Sequence, residues 1–149
     1  WLEMERTSAD ATKLPKIYFV NWFRKTDKGA FMWPGFGDNS RVLKWICQRI
    51  DGTVKANETA IGNLPFEKDI DVSNNDDPNP NFRVNKAFLK DLLTVDVEGW
   101  KKEIATIGAS YDQYDALPSK DSKVASKTAK RVPKALRQVL ADVTAALAK

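Results

Sequence analysis

The sequence predicts an α+β fold, with a small sheet built on one hairpin and about four helices, and three observations predict it. A nearly continuous apolar run rich in β-formers spans residues 17–23, Gly and Pro punctuate residues 29–37, and later stretches place apolar residues at helical spacing behind capping residues. The 149 residues are 42% apolar, with Trp 5 and Phe 7, which suffices for a buried core in one folded unit.

The amino-terminal stretch is polar and closes at Pro15. Residues 17–23 then suit a strand covered on both faces. Thr26, Asp27, Lys28 and Gly29 make a turn, and residues 30–33 resume β-favouring side chains, so the hairpin is expected between residues 17 and 33. Its distal end is Pro34, Gly35, Phe36 and Gly37, where glycine lets the backbone bend sharply and approach a flat ligand. Asp38, Asn39 and Ser40 offer capping side chains to a helix over residues 41–50, with Val42, Trp45, Ile46 and Ile50 on its stripe and Gly52 as its stop. The glycine-rich loop thus feeds a helix amino terminus, whose free N–H groups and positive dipole end favour a carbonyl or an anion. Residues 58–65 read as a short extended segment and residues 72–82 as a loop of Asn, Asp and Pro. Asn85 caps a helix to about residue 93, and a second covers residues 96–114 with Trp100, Ile104, Ile107 and Tyr111 on one face. Pro133 opens the last, with Leu136, Val139, Leu140, Val143 and Leu147 on its stripe. These stripes are expected to pack the core.

Composition narrows the chemistry. No run approaches the ~20 consecutive apolar residues of a spanning helix, and the amino terminus lacks a secretory pattern, so a soluble, cytoplasmic protein with no membrane partner is expected. The chain begins at Trp1, with Met4 in a charged stretch, and so reads as processed or as a piece of something longer. Without histidine, and with Cys47 as the lone cysteine, the usual serine, cysteine and zinc mechanisms lack their base or ligands. Carboxylate chemistry or plain binding remains, with no catalytic residue and no metal site expected. Cys47 itself reads as a small buried hydrophobe. The net charge of +4 hides an asymmetry, because Lys and Arg crowd the carboxyl-terminal stretch from Lys120 onward. In the basic segment 120–137, Lys120, Lys123, Lys127, Lys130 and Arg131 alternate with small polar residues and read as a solvated tether. The other reading is a patch for phosphate backbones, but no aromatic follows Tyr114 to stack on a base, so nucleic acid is not expected.

Trp22, Phe23, Phe31, Trp33 and Phe36 crowd onto the hairpin and the loop after it. Such a cluster ordinarily marks core packing. A core, however, needs no Gly-Phe-Gly leading into a helix start, whereas a pocket for a planar heterocycle does: rings for stacking, backbone N–H groups for an edge carbonyl.

The stretches PKIYFVNWFRK and FMWPGFGDNSRVLKWI, with the AIG element at residues 60–62, closely resemble the carboxyl-terminal part of GTP-dependent phosphoenolpyruvate carboxykinases. The resemblance is dense over residues 1–65 and sparse afterwards. It implies part of a larger mononucleotide-binding carboxykinase domain, with a strand, hairpin and helix segment carrying the guanine pocket over 1–65 and a helical part over 66–149. The family is a decarboxylating lyase of gluconeogenesis that converts oxaloacetate and GTP into phosphoenolpyruvate, carbon dioxide and GDP with Mn²⁺ and Mg²⁺. Carried to the matching positions, Phe23, Phe31 and Phe36 would line the base and Trp22 would support them. Asn39 would supply polar contacts, and Gly35 and Gly37 would keep the loop open. Asp38 stands where the family has glutamate, and Ala60 where proline is common; neither is expected to touch the base. The family's phosphate loop, metal ligands and oxaloacetate-holding arginines find no match in this sequence. The resemblance therefore implies a carboxyl-terminal fragment, inactive alone, whose partners are a guanine nucleotide and the missing amino-terminal part, with self-association as a further expectation. The alternative is a stand-alone module that meets a protein through its aromatics or nucleic acid through its basic tail.

Overall fold

The computed structural model describes residues 1–73, 83–117 and 131–149. Among these the chain is α+β, with helices α1 (Leu2–Thr7), α2 (Asn39–Ile50), α3 (Lys86–Leu93), α4 (Val97–Ala116) and α5 (Lys134–Ala146). Strands β1 (Asn57–Thr59) and β2 (Gly62–Leu64) form a two-stranded sheet. Most of the expected loop over residues 72–82, and Lys120, Lys123, Lys127 and Lys130 of the expected tether, lie outside the described residues.

Three of the helices begin where a side chain or a ring prepares the backbone. Asn85 Oδ1 accepts from the Ala87 N–H at 2.9 Å and opens α3. Asp96 Oδ1 accepts from the Gly99 N–H at 2.9 Å and opens α4. Each satisfies one of the N–H groups that a helix start leaves without a partner. Pro133, whose ring presets φ and which has no N–H to lose, stands at the start of α5.

The chain packs as two compact units, the first comprising Trp1–Asn57 and Leu64–Leu93 and the second Glu58–Asn63 and Thr94–Lys149. In the first, Trp33 of the turn region, Trp45 of α2, Ile70, Val84 and Leu89 of α3 form the buried cluster, with Tyr18 and Trp22 packed against it. Tyr18 meets Trp45 edge-on, with ring centroids 6.2 Å apart. In the second unit α4 and α5 pair antiparallel, since Asp115 meets Arg137 while Gly108, earlier on α4, lies under Leu140, later on α5. Ile104, Val132 and Leu147 are its buried residues.

The structure corrects the expected sheet. Among the described residues, residues 17–23 pair with no strand; Phe19 is 93% and Ile17 73% exposed. Burial alternates along the run, with Tyr18, Val20 and Trp22 half-buried, so it is extended chain with one covered face rather than two. β-Forming side chains favour extension, but a strand also needs a backbone neighbour. The expected hairpin contracts to one bridge, Lys25 to Phe31, flanked by hydrogen bonds from the Met32 N–H to the Arg24 carbonyl (3.0 Å) and from the Thr26 N–H to the Ala30 carbonyl (2.9 Å). The two-stranded sheet forms instead where only an extended segment was expected, around the tight turn after Thr59. Helix α1 arises in the stretch read as merely polar. Cys47 is exposed, because it lies off the α2 stripe that buries Trp45. The stripes are also less covered than expected, since Ile50, Leu136 and Val139 are exposed.

A single carboxylate fastens the second unit. Asp115 accepts from the backbone N–H groups of Arg131 (2.6 Å) and Val132 (2.8 Å) and from the Arg137 guanidinium (2.6 Å), which also reaches Asp112 at 3.0 Å. The Val132 N–H above all, with the Arg137 guanidinium and the Arg131 N–H, holds the Asp115 carboxyl below its ordinary range although burial opposes them. Because the folded pKa lies below the unfolded one, this contribution is complete above the unfolded value of about 4 and is lost as pH falls through the folded value. Asp115→Asn is therefore expected to lower the melting temperature at neutral pH by several degrees and to flatten its decline below pH ~4, read by circular dichroism across a pH series.

Candidate functional site

The residues singled out in the sequence lie in the first unit, on the turn between the extended run and α2. The structure brings them together in pairs. Phe23 and Phe31 face each other across the Lys25 to Phe31 bridge, with centroids 6.3 Å apart and planes at 64°. The Lys25 ammonium lies 4.6 Å from the Phe31 ring centre, within cation–π range. Trp22 lies 6.5 Å from Trp33 at 44° and packs inward, as a support for the turn. The Asn21 side chain accepts from the Phe23 N–H at 3.0 Å and fixes the bend that sends the Phe23 ring outward.

The Gly35 and Gly37 backbone takes a form that the sequence only half announces. Gly35 has φ 81° and ψ −159°, a region that a side chain all but forbids. It leads into a 3₁₀ turn, Phe36–Asp38, in which Phe36 also takes a positive φ of 46°. The 3₁₀ turn runs directly into α2, with the Asp38 N–H bonded to the Gly35 carbonyl at 3.1 Å. Among the described residues the N–H groups of Phe36 and Gly37, which open this continuous turn and helix, show no hydrogen-bond partner.

The expected capping residues do something else. Asp38 makes no side-chain cap; its carboxylate accepts from Arg41 Nε at 2.6 Å. Ser40 donates its hydroxyl to the Gly37 carbonyl at 2.6 Å. Asn39 Oδ1 accepts from the Trp33 indole N–H at 2.9 Å. An indole only donates, so this bond assigns Oδ1 to the Trp33 side and leaves Nδ2 as the remaining donor of the amide. Arg41 in turn donates to the carbonyls of Asp71 (2.6 Å) and Ser73 (2.8 Å), tying the base of the turn to the segment after Ile70. The Lys44 ammonium, 2.8 Å from Asp71, holds that carboxyl far below its usual range, aided by Ser73.

The rings themselves are open to solvent: Phe36 is 84%, Phe23 74% and Phe31 55% exposed. Phe36 makes no ring pair among the described residues. The arrangement offers apolar faces, two free backbone N–H groups and one amide donor around a single turn. Among the described residues no group of three His, Cys, Asp or Glu side chains converges to hold a metal. Two features of this corner have no signal in the sequence. One is the Trp33 to Asn39 bond; the other is Arg24, whose guanidinium donates to the carbonyls of Asp91 (3.0 Å) and Leu92 (3.5 Å).

Among known protein families, residues 1–131 match the phosphoenolpyruvate carboxykinase C-terminal P-loop domain. Curated relatives named phosphoenolpyruvate carboxykinase (GTP) agree. One from Treponema pallidum is 48% identical over 107 residues, 72% of this chain and 16% of the relative. That of Corynebacterium kroppenstedtii is 42% identical over 124 residues, 83% of this chain and 18% of the relative. A third, from Chlamydia caviae, is 44% identical over 108 residues, 72% of this chain and 16% of the relative. The chain thus matches less than a fifth of the length of each of these relatives.

The turn is strained in a way that can be measured. Gly35→Ala is expected to destabilise by about 1–3 kcal/mol, because the added Cβ meets the backbone's own atoms at φ 81°. Phe36→Gly should be neutral or stabilising by up to about 1 kcal/mol, since it relieves a positive φ and removes a ring that buries little. Chemical denaturation of both variants checks the pair.

Proposed function

The chain belongs to the phosphoenolpyruvate carboxykinase family, in its C-terminal P-loop domain, and from that premise we propose that residues 22–39 form the guanine end of a GTP site. The observation that carries this reading is the outward presentation of Phe23, Phe31 and Phe36 around a turn with free N–H groups. Apolar rings open to water are costly to leave bare and well suited to stack on a base. Asn39 supports the choice of base. With its Oδ1 held by Trp33, its Nδ2 is a donor, which suits the edge carbonyl of guanine and opposes the amino group that adenine carries there. Trp22 supports the rings from behind, while Gly35 and Gly37 give the turn its path.

In this reading the chain is one portion of a larger mononucleotide-binding domain, with residues 1–65 carrying the base pocket and residues 66–149 forming its helical remainder. The complete protein, a cytoplasmic enzyme of gluconeogenesis, converts oxaloacetate and GTP into phosphoenolpyruvate, carbon dioxide and GDP. Mn²⁺ and Mg²⁺ serve that reaction, but the described side chains do not fit such ions, lacking any convergent set of three donors. In this reading metal binding and phosphoryl transfer belong to the missing amino-terminal part, as the resemblance to the family implies. The bare face of Ile17 and Phe19 suits contact with that remainder, or with a second copy when the remainder is absent.

Two measurements test the proposal. The 149-residue chain alone should form no phosphoenolpyruvate from oxaloacetate and GTP at any Mn²⁺ concentration. In the complete enzyme, Phe36→Ala should raise KM for GTP by the loss of one stacking face, about 1–3 kcal/mol. The effect should fall on KM more than on kcat, because a base remote from the transferring phosphoryl group is held alike in ground and transition states. An unchanged KM for GTP would remove Phe36 from the site.

A further inference from the structure

The phenyl rings of Phe23 and Phe31 are exposed, so core packing does not hold them; their places follow from the backbone that carries them. That backbone has one rung beside both. The Arg24 carbonyl accepts from the Met32 N–H at 3.0 Å, and Phe23 and Phe31 each stand one residue before an end of this bond. Met32 is buried, which anchors one end. The other end is anchored by the Arg24 side chain. It is half-buried, unlike Phe23 and Lys25, and its Nη1 reaches the last turn of α3 at the Asp91 and Leu92 carbonyls. Those carbonyls have no partner further along the helix and form the negative end of its dipole, so a guanidinium is held there by charge as well as by hydrogen bonds.

We infer that Arg24 is a positioning residue for nucleotide recognition: by capping α3 it sets where the Phe23 and Phe31 pair stands, and so sets affinity for the base without touching it. The inference rests on the reading of these rings as the base platform. Both bonds come from one guanidinium nitrogen, Nη1, on a planar group whose donors are fixed in direction. A lysine ammonium keeps the charge, but as a point donor on a flexible stem it holds the same two carbonyls less firmly. Loss of the cap frees the rung to shift, and the exposed rings shift with it, while the buried cluster around Trp33 and Trp45 keeps its own contacts.

The test uses the complete enzyme with Arg24→Met, Arg24→Lys and Phe36→Ala, measuring kcat, KM for GTP, KM for oxaloacetate and melting temperature for each. Arg24→Met is expected to raise KM for GTP about five-fold or more, with much smaller changes in kcat and in KM for oxaloacetate. Arg24→Lys should fall between Arg24→Met and the parent, and it carries the test alone if Arg24→Met does not fold. If Arg24→Met and Arg24→Lys lower the melting temperature but leave KM for GTP unchanged, or depress kcat and both KM values together, Arg24 is merely structural and the inference is overturned. Phe36→Ala separates the two levels. A raised KM for GTP in Phe36→Ala beside an unmoved one in the Arg24 variants keeps the base reading and removes Arg24. An unmoved KM for GTP in all three removes both.

Discussion

One hydrogen bond, from the buried indole of Trp33 to the side-chain carbonyl of Asn39, closes the chain over the residues between them. Trp33 belongs to the core cluster with Trp45, and Asn39 is the first residue of α2, so the bond ties hairpin, turn and helix to one interior point. The path between is short. It is completed by a glycine in a region closed to other residues, a phenylalanine at positive φ, and a 3₁₀ turn that tightens the helix start. Strain in the turn and exposure of Phe36 thus have one origin: the backbone is pulled inward at both ends, and the residue at its crest has nowhere to go but out. A buried polar group without a partner is costly, so the bond also protects the indole N–H of Trp33. The indole of Trp45, nearby in the same cluster, is buried without such a partner among the described residues.

Around that point the polar side chains act as ties between segments distant in sequence. Arg41 joins α2 to the chain after Ile70, and Arg24 joins the hairpin to α3. Both guanidinium groups end on backbone carbonyls, which lets one side chain order a segment whose own sequence carries no pairing partner. The aromatic turn is consequently a rigid corner presenting loose-looking rings. The ties come from behind, through bonds to the backbone, while the rings of Phe23, Phe31 and Phe36 face solvent.

Much of this was legible in the sequence, and the rest failed for identifiable reasons. Helices α3, α4 and α5 begin where Asn85, Asp96 and Pro133 said they would, because capping is a local interaction between neighbours. The α+β class and the family were legible as well, the second from the density of residues around WPGFG. The strand was not, because side-chain preference reports on extension while pairing depends on a neighbour that the sequence does not name. The apolar neighbours of Cys47 suggest burial, although helical spacing from Trp45 turns it outward. Within the candidate site the ring types and the glycines were readable. The orientation of Asn39 and the reach of Arg24 were not. The first depends on which side of a turn an indole faces, and the second spans 67 positions.

The family match ends at residue 131, and Arg131 contributes the first of the two N–H groups that Asp115 holds. The carboxylate on α4 thus seizes the chain at the border of the shared region and, through Arg137, sets the register of a helix that lies beyond it. Anchoring α4 and the entry to α5 at one carboxylate works as a latch: a single side chain meets both the backbone that opens α5 and a guanidinium on its first turn.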